Sequence, residues 1–114
     1  MEKDLILHDE AFLAEFMEIF SIGLLECLKE QLIDTARAEQ WLFSPVIAYS
    51  MHKPGFNKPL IEAMRFASEL NAVEPISDYY TESLQQARAL FIKALQNTEK
   101  QPFNPMDHII KNLI

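Results

Sequence analysis

From Asp9 to Leu32 the chain runs for 24 residues without a proline. Phe12, Phe16, Phe20, Leu24, Cys27 and Leu28 recur through that stretch at the three- and four-residue intervals of an α-helix. Asp9 is placed to cap the start, and Glu10 follows at the positive end of the helix dipole. At about 1.5 Å per residue such a helix spans about 36 Å, the width of a small domain. The rest of the chain is therefore expected to pack against it. Steps of about 100° place Phe12, Leu13, Phe16, Met17, Ile19, Phe20, Gly23, Leu24, Cys27 and Leu28 on one broad apolar arc. Gly23 lies inside that arc, where close approach of another helix of the same chain would explain it.

The remaining chain reads as shorter helices divided by capping residues and prolines. Asp34 caps a helix to about Phe43, and Ser44-Pro45 stops it and restarts another over about 45–51. His52-Lys-Pro-Gly-Phe-Asn-Lys-Pro is a loop, followed by a helix over 59–72. Ser77 or Asp78 caps a second long helix over 78–97, and Asn104-Pro105 opens a last one to about Leu113. With 114 residues there is surface enough for one core, and only two glycines leave little for β-hairpin turns. The fold class is all-α: a single compact domain of five to six helices, two of them long, over 9–32 and 78–97.

Charge is distributed unevenly. Ten acids and three bases fall within residues 1–39, which accounts for the whole net charge of −7, while residues 40–114 carry seven of each. An acidic surface of this kind steers basic partners and disfavours a phosphate backbone, so nucleic acid is not an expected partner. No run of about 18 uncharged apolar residues and no signal-peptide pattern occurs, so no membrane association is expected and the cytoplasm is the expected location. The single cysteine, Cys27, has no partner for an intramolecular disulfide, and its place in the apolar arc predicts burial.

Catalytic signatures are missing. There is no phosphate-binding glycine loop, no GxSxG elbow and no HExxH or ExxH pair, and His8, His52 and His108 lie in separate segments. Neither a metal nor a cofactor is expected. Glu15, Glu18, Glu26 and Glu30 form like-charge neighbours at helical spacing, which reads as a solvated acidic face. Ile22 and Leu25 fall among Glu18, Glu26 and Lys29 on the side opposite the apolar arc. Aliphatic anchors ringed by charge resemble the core and rim of an interface, although a central helix wrapped on several sides would bury them as ordinary core. A second candidate surface is the acid-free stretch between Gln40 and Ile61 with Trp41, Tyr49, Met51, His52, Lys53, Phe56 and Lys58, where aromatic and cationic residues interleave.

The block Gly23-Leu-Leu-Glu-Cys-Leu-Lys, then Ile33, then Ala38-Glu-Gln-Trp-Leu-Phe-Ser-Pro45 resembles the pattern of short bacterial proteins that share a domain of unknown function. The resemblance implies a small bacterial helical protein and carries over no catalytic residue. The expected function is a non-enzymatic interaction or regulatory module with an unknown, basic protein partner. It would act through Glu15, Glu18, Ile22, Leu25, Glu26 and Lys29 or through Trp41, Tyr49 and Phe56, with homodimerisation as one form of it. Two alternatives stay open: an immunity protein or antitoxin that covers a basic toxin, and a helical domain with a small-molecule pocket lined by Phe, Met and Tyr and flanked by His52 or Glu62.

Overall fold

The computed structural model describes residues 10–52, 56–100 and 106. Six helices are present among them: α1 (Glu10–Lys29), α2 (Thr35–Trp41), α3 (Pro45–Ala48), α4 (Lys58–Ala67), α5 (Leu70–Val73) and α6 (Ser77–Gln96), with no strand. The all-α class and both long helices agree with the sequence reading. The final helix over 105–113 lies outside the described residues, apart from Met106.

Local chemistry sets each boundary. The first helix stops at Lys29 rather than Leu32 because Gln31 enters the left-handed region, with φ of 59°. The Leu32 N–H then donates to the Cys27 carbonyl at 2.9 Å and the Gln31 N–H to that of Leu28 at 3.1 Å. This paired return is the Schellman closure that normally recruits glycine. Asp34 caps α2 by accepting from the Arg37 N–H at 2.9 Å. Glu74, 39 residues further on, also holds the start of that helix: its carboxylate accepts the Thr35 N–H at 3.2 Å and the Thr35 hydroxyl at 2.5 Å. Ser44 accepts from the Val46 N–H at 3.1 Å, and Asn57 from the Leu60 N–H at 2.8 Å, each just ahead of a proline in the first turn.

Three further boundaries differ from expectation. The helix expected over 45–51 ends at Ala48, and the one expected over 59–72 breaks after Ala67, where the Ser68 hydroxyl donates to the Arg65 carbonyl at 2.7 Å. That side-chain bond competes with continued helix and leaves α5 as a separate turn. Neither Ser77 nor Asp78 caps α6; Ile76 occupies the cap position without a side-chain bond, and Asp78 sits in the first turn.

The centre of the fold is α6, not α1. Leu84, Ala87, Phe91 and Ala94 form its buried stripe, and it packs against α1 on one side and α4 on another. Small residues let these helices approach: Ala14 and Ser21 of α1, Ala63 and Ala67 of α4, and Ala87 and Ala94 of α6 are all buried. Phe43, from the turn after α2, stacks on Phe91 with ring centroids 5.8 Å apart. Leu24, Leu25, Leu28, Leu60 and Met64 complete the middle of the core.

The first helix is therefore rotated from the orientation its apolar arc implies. Its buried side carries Ala14, Met17, Glu18, Ser21, Leu24, Leu25 and Leu28. Phe16 and Ile19 face outward at 45% and 56% exposure, and Gly23 is exposed beside them. Apart from its chain neighbours and the backbone of α1 itself, no described atom lies within 4 Å of the point where a Gly23 side chain would begin, so the expected close approach of a neighbouring helix there does not occur.

Candidate interaction surface

Because α1 turns its small residues and leucines inward, Phe16 is left exposed and Phe20 sits half-buried at the edge of the core. Phe16 and Phe20 stack with centroids 5.4 Å apart. The Phe20 ring in turn lies 6.0 Å from that of Trp41 at the end of α2, and the Arg37 guanidinium sits 5.8 Å from the Trp41 ring centroid. Trp41 is 57% exposed. With Ile19 and Gly23 next to them, these residues make a continuous aromatic ladder across two helices. Single exposed apolar side chains are ordinary on protein surfaces; contiguous ones mark places where something else docks.

The carboxylates near this face differ sharply in environment. Glu26, in a later turn of α1, and Glu30, just past its end, are exposed and form no ion pair among the described residues. Glu15 is half-buried and lies 3.5 Å from the Lys100 ammonium. Glu18 is fully buried, which removes it from the solvated acidic face expected of it. Its Oε2 accepts the Thr98 hydroxyl at 2.6 Å, Asn57 Nδ2 donates to that same hydroxyl oxygen at 2.9 Å, and Oε1 has no hydrogen-bond partner among the described residues. Desolvation drives the Glu18 carboxyl above its usual range, with Glu15 adding repulsion, while Thr98, Asn57 and Lys100 act in the opposite direction.

The remaining sequence candidates scatter. Leu25 is 2% exposed and belongs to the core, and Ile22 is half-buried against it, so this pair forms no open anchor. The reason is the rotation of α1, which turns that side towards α6. Lys29 stays exposed. The acid-free stretch does not form one surface: Trp41 joins the α1 ladder, Tyr49 lies under the Arg65 guanidinium at 4.8 Å, Phe56 packs against the core, and Met51 is buried. Lys53 lies outside the described residues, as do His8 and His108. Cys27 is half-buried rather than buried.

No group of three or more potential metal ligands occurs among the described residues. Two open grooves border the start of α6. Gln31, Tyr80 and Leu28 line both, and neither is lined by His52, Glu62, Phe or Met. In one of them burial and the nearby Glu74 and Asp34 push the Tyr80 hydroxyl up to about 12. No helix among the described residues is long and apolar enough to cross a membrane.

A family described as "Protein of unknown function (DUF3969)" matches residues 8–111. The chain belongs to the DUF3969 family. The match takes in all six helices, so both the aromatic ladder and the buried Glu18 lie within the DUF3969 domain. No curated protein and no solved structure matches the chain. The reading of the sequence as a helical domain of unknown function thus holds, and the ladder is what that reading missed. The available signal was the width of the apolar arc, about half the circumference of α1, which is more than one helix contact consumes.

Proposed function

We propose that this DUF3969 chain is a protein–protein interaction module without catalysis of its own, and that it docks its partner on the outer face of α1 and on Trp41. The observation that carries the reading is the contiguity of Phe16, Ile19, Phe20 and Trp41, with Phe16, Ile19 and Trp41 each about half exposed. Aromatic side chains are enriched at the cores of interfaces, and tryptophan is among those that carry most binding energy, where exclusion of water gives each contact its full value. The surface also needs little ordering before it binds, since Phe20 is already held between its two aromatic neighbours.

The test is recovery of a partner from the native host at natural expression, with the wild-type chain and with Ile19→Asp run side by side. Ile19 is more than half exposed, so the substitution leaves the fold intact. The partner is recovered with the wild type and lost with Ile19→Asp while the thermal melt is unchanged. Equal recovery with both chains would remove the ladder from the function.

A further inference from the structure

Gly23 is the one residue of the ladder for which the chain itself offers no reason. Its φ is not positive, so the backbone does not require glycine. Beyond its chain neighbours and the backbone of α1 itself, nothing described lies within 4 Å of a Cβ built there, so packing against another described element does not require it either. Within a helix it costs about 1 kcal/mol relative to alanine. What it provides is a gap in the outer face of α1. Ile19 and Phe20 stand one turn before it, and Glu26 and Cys27 one turn after it. A helix crossing at such a gap comes closer than side chains elsewhere permit.

The two sides of the gap differ in chemistry. Towards the start of α1 it is bounded by Ile19 and the Phe16–Phe20–Trp41 ladder. Towards the end it is bounded by the exposed carboxylates of Glu26 and Glu30, which have no ion pair among the described residues. Lys29 stands one turn after Glu26 but forms no ion pair with either carboxylate among the described residues. Arg37 already lies over Trp41.

Resting on the interaction reading above, we infer that the partner of this face is a different protein that presents a helix with an apolar stripe bordered by Lys or Arg, and that this helix crosses α1 at Gly23. Its apolar side chains cover Ile19 and the rings, and its cations meet Glu26 and Glu30. A second copy of this chain does not supply that complement. It would bring the same two carboxylates and a further net charge of −7 to the contact.

Trp41 is the only tryptophan, so its emission reports coverage of the ladder directly. The full chain is titrated with two synthetic helical peptides that share one leucine stripe and lack tryptophan, one flanked by lysines and the other by glutamates. The lysine peptide binds saturably and shifts Trp41 emission to the blue, and the glutamate peptide binds at least about tenfold more weakly. Gly23→Leu weakens the lysine peptide at least about tenfold with the melt preserved, and Glu26→Lys with Glu30→Lys reverses the preference between peptides.

Failure of the lysine peptide to bind, equal binding of both peptides, or wild-type affinity in Gly23→Leu would each overturn the inference. So would a dimer of the free chain that dissociates on Gly23→Leu, since it assigns the face to a second copy. In all of these cases loss of the host partner on Ile19→Asp still upholds the interaction reading, so the two failures remain distinct.

Discussion

Replacing Glu18 with glutamine removes one charge from the interior and changes almost nothing in shape. The wild-type side chain is fully buried, with one oxygen on the Thr98 hydroxyl at 2.6 Å and the other without a partner among the described residues. Desolvation is the largest influence on its titration and raises it above the ordinary 4.5 of glutamate. The folded chain therefore holds the Glu18 proton more tightly than the unfolded chain does. By linkage, this residue costs no stability at pH values below 4.5, and its cost grows as the pH rises from 4.5 through the folded-state value. Each unit of the upward shift is worth about 1.4 kcal/mol once the pH is above both values. Glutamine does not titrate, so Glu18→Gln lacks this slope. Its own cost is an amide that must find acceptors, of about 1–3 kcal/mol at most, and that cost is the same at every pH.

The measurement is urea unfolding of wild type and Glu18→Gln at several pH values between 4 and 8. Taking the difference between the two proteins at each pH cancels the other carboxylates, and following that difference with pH cancels the amide cost. Wild type loses stability relative to Glu18→Gln as the pH rises, by up to about 1.4 kcal/mol per pH unit within the titration range. Parallel profiles would refute the reasoning. A wild type that gains on the variant with rising pH would reverse its sign and show that Thr98, Asn57 and Lys100 outweigh burial.

Gly23→Ala stabilises the chain by about 1 kcal/mol, seen as a melting temperature higher by about 4 °C, because the helix gains and nothing lies in the way. Gln31→Gly also stabilises, by about 1 kcal/mol in chemical unfolding, by relieving the left-handed backbone at φ 59°. Leu25→Ala costs about 2–5 kcal/mol in the same assay, as a buried leucine should; a cost below about 0.5 kcal/mol would return Leu25 to the surface. Glu74→Gln lowers the Tyr80 titration from about 12, readable by ring-labelled NMR, because the neighbouring negative charge is gone.

Most of the helical framework was legible because capping is local. Asp34 and Ser44-Pro45 each declare a helix start within three or four residues, and each one caps as its position suggests. The ends were harder to read. Gln31 performs a turn for which glycine is the usual marker, so the stop at Lys29 left no trace in the residue types. The rotation of α1 was hidden for a different reason. A helix with phenylalanines on one side and Ala14, Ser21 and Leu25 on another has two usable faces, and the choice lies with its neighbours. The alanines of α6 favour the side that allows closer approach, and this buries Glu18 and exposes Phe16. No hydropathy pattern assigns a carboxylate to the interior, because Thr98 is 80 residues away from Glu18.

The bond between Glu74 and Thr35 also bears on the order in which the chain is assembled. A seven-residue helix such as α2 is too short to persist alone, and Asp34 satisfies only part of its start. The rest is supplied from 39 residues downstream, on a segment that leaves the ribosome after all of α4. Until then Trp41 has no fixed position from which to meet Phe20. The aromatic face is thus completed only once Glu74 has been made, when α6 follows and the core that holds it can close.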